Sequence, residues 1–148
     1  MKPYLLDVNV LVALAWPNHV HHRPARDWFQ RRGRVSWATC PATQSGFVRV
    51  SSNGRVIRSA VTPREAFVFL ARMTASPGRS FWIDDVDLST SGFIARDRLV
   101  GTQQVTDAHV FAIAMSRGGV LATFDRGILD LVPPGARPKE VVEVLQGA

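Results

Sequence analysis

Residues 4–16 read Tyr4-Leu5-Leu6-Asp7-Val8-Asn9-Val10-Leu11-Val12-Ala13-Leu14-Ala15-Trp16, and the change of pattern at Asp7 decides the fold. Three large apolar side chains in a row before Asp7 suit a short strand buried on both faces, since a half-exposed strand would alternate apolar with polar. Beyond Asp7 the apolar run lasts for a helix's length and stops at Pro17, which lacks the backbone N–H that a helix interior needs. A buried strand that ends in an acid and runs straight into a helix is a unit of a parallel α/β sheet.

The same kind of strand recurs late, where residues 120–124 end at Asp125. Between the two, the pattern predicts a helix over 19–32, with Val20, Trp28 and Phe29 inward and Arg23, Arg26, Arg31 and Arg32 mostly outward. A strand over 35–38 follows, then a helix from Pro41 to about residue 51, because proline suits the first helical position. Thr62-Pro63 opens another helix through 73, and Ser76-Pro77-Gly78 breaks it ahead of a strand over 81–83. Helices are expected over 88–98 and 103–116, the second apolar almost all round and therefore deep, and a last short strand over 141–145. The fold class is α/β, with a parallel sheet.

In open parallel sheets, sites form at the carboxyl ends of the strands. Asp7 and Asp125 share that edge if their strands are neighbours. Asp107 joins them from the 103–116 helix, where it shares a face with Val110, Phe111 and Ala114. An unpaired carboxylate on an apolar face costs several kcal/mol, so it needs a proton, a partner or a cation. Each acid also has an ordinary use: Asp7 as a helix cap, Asp125 in a turn before Gly127, Asp107 beside backbone donors near its helix start. Their convergence on one edge points to Mg²⁺ or Mn²⁺, because an all-oxygen set suits those ions better than zinc.

The 148 residues carry four Trp and eight Phe, enough apolar surface for one compact domain, expected over residues 1–148. Cys40 is the single cysteine, which excludes an intrachain disulfide and a cysteine-built zinc site and points to a cytoplasmic setting. Asp7 and Asn9 interrupt the N-terminal apolar stretch where a signal peptide needs an uncharged core. The longest apolar run, residues 10–16, is seven residues, against the roughly 18 of a membrane span. The net charge of +6 is unevenly spread: residues 19–64 hold nine arginines against Asp27 alone, while residues 84–148 carry a local −3. A basic half and an Asp-rich half suit an enzyme that holds a polyanion on one surface and a cation in a carboxylate site.

In four segments the chain resembles the PIN-domain ribonucleases, and among them the VapC-type toxins of bacterial toxin–antitoxin pairs. These are Leu5-Leu6-Asp7-Val8-Asn9-Val10-Leu11, Thr43-Gln44-Ser45-Gly46-Phe47-Val48-Arg49-Val50, Thr106-Asp107-Ala108-His109, and Ala122-Thr123-Phe124-Asp125-Arg126-Gly127. The resemblance implies a three-layer α/β/α domain and an acidic cluster of Asp7, Asp107 and Asp125 that binds Mg²⁺ or Mn²⁺. It implies endonucleolytic cutting of RNA by metal-activated water, leaving a 5′ phosphate and a 3′ hydroxyl. It also implies tRNA or rRNA as substrate, a small antitoxin in the cleft and a homodimer. Gln44 stands where the family carries its second acid, so the site holds one negative charge fewer and weaker metal binding is expected. Asn9 and Thr123 are candidate orienting residues, and Arg49 and His109 candidate RNA contacts.

Other readings compete. Haloacid-dehalogenase-type phosphatases need an Asp where Asn9 stands, and a phospho-receiver domain needs an early acidic pair and a nearby lysine, whereas the lysines are Lys2 and Lys139. The histidines at 19, 21 and 22 have no acid near them in sequence to complete a metal site, and are expected at an exposed helix start, with contact to RNA or a partner as the second reading. A catalytically weakened module that binds RNA or an antitoxin is the alternative that Gln44 supports.

Overall fold

The computed structural model describes residues 2–147. The elements run β1 (Tyr4–Leu6), α1 (Val8–Ala15), α2 (His22–Arg31), β2 (Trp37–Thr39), α3 (Pro41–Ser51), α4 (Pro63–Thr74), β3 (Arg79–Phe81), α5 (Gln103–Ser116), β4 (Val120–Thr123), α6 (Pro138–Val141) and β5 (Val142–Val144). All strand pairs are parallel, in the order β3-β2-β1-β4-β5. Leu6 lies opposite Ala122, so β1 and β4 are neighbours and their carboxyl ends open side by side at the centre of the sheet.

Strand side chains alternate between two apolar layers. Tyr4 and Leu6 pack with Val10, Leu11, Trp28, Phe47 and Leu70, while Leu5 packs on the opposite face with Val110, Phe111, Ile113 and Val132. Helices α1 to α4 therefore cover one face and α5 and α6 the other, in three α/β/α layers. Two-sided burial is why β1 and β4 read as unbroken apolar runs. Fully hidden Phe47 and Phe111 each contribute about 1.5–3 kcal/mol of apolar burial, one to each layer. At Gly46 a Cβ would stand 2.5 Å from Val8 Cγ2, so that glycine lets α3 close on the first turn of α1, beside Asp7.

Three local expectations are corrected. No α-helix covers residues 88–98; that stretch holds turns and a short 3-10 segment, Arg96–Arg98. Asp87 Oδ1 accepts the N–H and the hydroxyl of Ser89, and such local bonds compete with a helix. The third strand occupies Arg79–Phe81 instead of 81–83, because β2 ends at Thr39 and turns into α3, leaving only Trp82 N–H a ladder acceptor, Thr39 O. Val20 points outward at 70% exposure, because α2 begins at His22 and leaves Val20 in the preceding turn. The inward face of α2 is Ala25, Trp28 and the half-buried Phe29. Of the tryptophans, Trp28, Trp37 and Trp82 are buried, and the partly buried Trp16 stacks on Phe47. No helix among the described residues is long and apolar enough to cross a membrane.

Candidate active site

Asp7 leaves the end of β1 and caps α1, its Oδ1 accepting Val8 N–H at 2.8 Å. The ordinary use is thus real, but it engages one oxygen. The other, Oδ2, accepts the Thr123 hydroxyl at 2.8 Å across the β1–β4 seam. Thr123 Oγ1 itself accepts Asn9 Nδ2–H at 3.2 Å and Asp125 N–H at 3.0 Å. With both acceptor positions filled, the hydroxyl has its one proton left for Asp7, which fixes the direction of that bond. Asn9 completes the clamp, its Oδ1 accepting Phe124 N–H at 3.2 Å. Asp125 opens the turn after β4 and accepts Gly127 N–H at 2.8 Å.

Asp107 differs from both. It stands half-buried on α5 and accepts no hydrogen bond from the described residues, so backbone donors do not explain it. Burial first, then the negative charges of Asp7 and Asp125, push its pKa up to about 6. The Asp7 carboxyl, 8% exposed, is raised mainly by burial and further by Asp125, against the lowering pull of Thr123 and Val8. The three acids thus share one electrostatic environment. Among the described residues none of them is ion-paired to a cation.

A cavity of about 980 Å³ opens over this edge. It is lined by polar Asp7, Asn9, Thr106 and Asp107, by apolar Val12, Trp16, Val50, Ile57 and Val61, and by His19, Arg49 and Arg58. Gln44 lies apart: its Nε2 donates to Thr39 Oγ1 at 3.1 Å, and its side chain lines a neighbouring groove with Pro41, Val48, Phe67 and Leu70. His109 is held by Asp84, Nε2 to Oδ2 at 2.7 Å, which ties α5 to the segment after β3. His19 was legible only as a second reading, and Arg58, in an irregular turn that carries no periodicity, was not singled out.

As a donor set, the carboxylates are all oxygen, electrostatically coupled and without a compensating cation, which suits a hard divalent ion in chemistry and charge. Among the described residues no three His, Cys, Asp or Glu side chains are placed to hold a metal ion together. An ion bound here would complete its shell with water, as Mg²⁺ commonly does.

The chain and its fold have counterparts among known proteins. A profile of the PIN domain matches residues 4–132. Ribonuclease VapC39 of Mycobacterium tuberculosis is 46% identical over 141 residues, 95% of this chain and 98% of that protein. Ribonuclease VapC38 of the same organism is also 46% identical, over 95% of this chain and 96% of its own length. Among solved structures, DNA-bound VapBC from Salmonella typhimurium superposes with a TM-score of 0.62 at 15% identity, covering 97% of this chain and 98% of that one. VapC20 of M. tuberculosis, described as a Sarcin-Ricin loop cleaving toxin, gives 0.58 at 16% identity, covering 88% and 99%. The chain belongs to the PIN-domain family, within its VapC ribonucleases.

Proposed function

We propose that the protein is an endoribonuclease that depends on Mg²⁺ or Mn²⁺ and acts as the toxin of a toxin–antitoxin pair. The observation that carries this is Asp107: an acid half-buried without a donor, facing two further acids at the strand ends. Its relatives are named as ribonucleases, and the structural neighbours include VapBC complexes, which supports an antitoxin as partner. Structured RNA, tRNA or rRNA, is the substrate class this reading takes, and a homodimer in the cytoplasm its form.

Asp7, Asp107 and Asp125 would hold the ion partly through water, since the three side chains are not placed to ligate it together. When bound it supplies charge neutralisation at the phosphate and activation of the attacking water. The chain's own residues do the rest. Thr123 and Val8 hold the Asp7 carboxyl from one side each, leaving its outer lone pairs free. Asn9 keeps the Thr123 hydroxyl turned toward Asp7. Asp107, its pKa raised to about 6 by burial and by the other two acids, is the carboxylate whose ionisation a cation would relieve most. Arg49, exposed and lining the cavity, serves as a phosphate contact.

Purified protein supplied with Mg²⁺ or Mn²⁺ should cut structured RNA to 5′-phosphate products, and an Asp7→Asn variant that cuts equally well would sink the site. The neutral Gln44, where by resemblance an acid is expected, favours one other reading, a module that binds RNA or antitoxin without cutting. Absence of Mn²⁺ binding at millimolar metal would decide for it.

A further inference from the structure

The cavity over Asp7 and Asp107 carries a hydrogen-bond donor that the carboxylate chemistry leaves unused. His19, in the turn between α1 and α2, lines it together with Arg49 and Arg58. Its Nδ1 accepts His21 N–H at 3.0 Å, so the neutral ring bears its proton on Nε2. Among the described residues nothing bonds to that Nε2. Burial, with smaller contributions from His21 and His22, lowers the His19 pKa below its ordinary value, which keeps this tautomer populated at neutral pH.

The turn that presents the ring is firmly held. His19 N–H bonds Trp16 O and His22 N–H bonds His19 O, both at 3.0 Å, and the His21 ring stacks on Phe124 at 4.7 Å, next to Asp125. Arg49 and Arg58 pair with no acid among the described residues. A cleft lined both by acids and by a fixed neutral donor and two unpaired guanidinium groups matches a nucleic-acid strand: one phosphate at the acids, further phosphates at the donor and the cations.

We propose that His19 is a substrate-binding residue of this cleft, donating its Nε2–H to a backbone phosphate oxygen of the RNA strand while Arg58 neutralises an adjacent phosphate. This rests on the ribonuclease reading, and deepens it by naming the residues that hold the strand away from the acids.

Two substitutions separate the contact from mere upkeep of the turn. His19→Asn keeps an acceptor where Nδ1 was and removes the Nε2 donor, whereas His19→Gln restores an amide donor near Nε2 and gives up the Nδ1 acceptor. Binding of a fluorescein-labelled, mixed-sequence single-stranded RNA is titrated in EDTA across a salt series, and cleavage is followed separately with Mn²⁺. His19→Asn should weaken binding about fivefold, raising KM with kcat nearly unchanged, and His19→Gln should bind like the wild type. Because the donor is neutral, His19→Asn leaves the salt slope unaltered, while Arg58→Gln reduces the slope of log K against log salt by about 0.7. Normal binding by His19→Asn, or a loss in His19→Gln as large as in His19→Asn, overturns the proposal. Wild-type protein that shows this binding pattern yet leaves RNA uncut overturns the ribonuclease reading and not the contact; cutting by the wild type with normal binding by His19→Asn does the reverse.

Discussion

Glu143 and Asp107 are partly hidden acids on opposite flanks of the same sheet, and the fold treats them in opposite ways. Glu143, in β5, accepts the Tyr4 hydroxyl at 3.1 Å and Trp28 Nε1–H, and pairs with Arg32 at 3.3 Å. Burial, then the adjacent Glu143 charge, raises the Tyr4 pKa, so the phenol stays a donor. Asp107 accepts no hydrogen bond from the described residues and faces two further acids. One acid is neutralised and fastens α2 to the β1 and β5 strands; the other is left in an energetically costly state that an added cation would relieve. The lesson is that an acid's surroundings, more than its burial, tell a structural carboxylate from a functional one.

That contrast breaks most sharply in activity. Asp7→Asn should lower RNA cleavage about a thousandfold in a gel assay with Mn²⁺. Glu143→Gln, in the same assay, should cut at the wild-type rate. Comparable losses from both would erase the distinction between the two acid clusters.

Stability responds the other way round. Glu143→Ala leaves Trp28 Nε1 and the Tyr4 hydroxyl without their acceptor, so urea unfolding should show a loss of about 2 kcal/mol. Asp107→Asn should instead stabilise the metal-free protein. The folded pKa of Asp107, about 6, lies above its ordinary value of 3.8. Its contribution is therefore fully present below pH 4 and lost as pH rises through 6, where the folded protein must ionise it. Removing that ionisation should gain about 1 kcal/mol at pH 8, a figure discounted for a side chain that is half exposed to solvent. A wild-type stability curve that stays flat between pH 4 and 7 in EDTA would contradict this. Mn²⁺ binding, read as a shift in melting temperature, should weaken as pH falls through 6, because protons compete for the same oxygen atoms.

Much of this was legible in the sequence, for local reasons. β1 and β4 announce themselves as apolar runs ended by acids, α3 by Pro41 at its first position, and α5 by its apolar circumference. Asp7, Asp107 and Asp125 follow from those elements and the rule of strand ends. What was illegible is set by distant partners or by turns. Asn9 and Thr123 were read as orienting residues, but the bond between them, 114 residues apart, that sets the direction of the Thr123 hydroxyl was not. The bounds of β3 depend on where β2 stops, and segment 88–98 loses its helix to the side-chain bonds of Asp87. His19 sits in a turn whose shape comes from Trp16 O and Phe124.

Gln44 supplies the smallest effect. By resemblance an acid at this position would add a fourth charge to the cluster, so Gln44→Glu would strengthen Mn²⁺ binding greatly. Here the side chain is tied to Thr39 Oγ1, faces a groove lined by Pro41, Val48 and Leu70, and is absent from the cavity that holds Asp7 and Asp107. Thr39 can reverse its hydroxyl and donate to a carboxylate, which would hold a glutamate in that same orientation. Gln44→Glu should therefore change Mn²⁺ affinity by less than about threefold, since a charge that stays on the neighbouring groove acts only through partly screened distance. A gain of tenfold or more in a calorimetric titration would show that α3 reaches the ion, and would move the boundary between site and scaffold from α1 to α3.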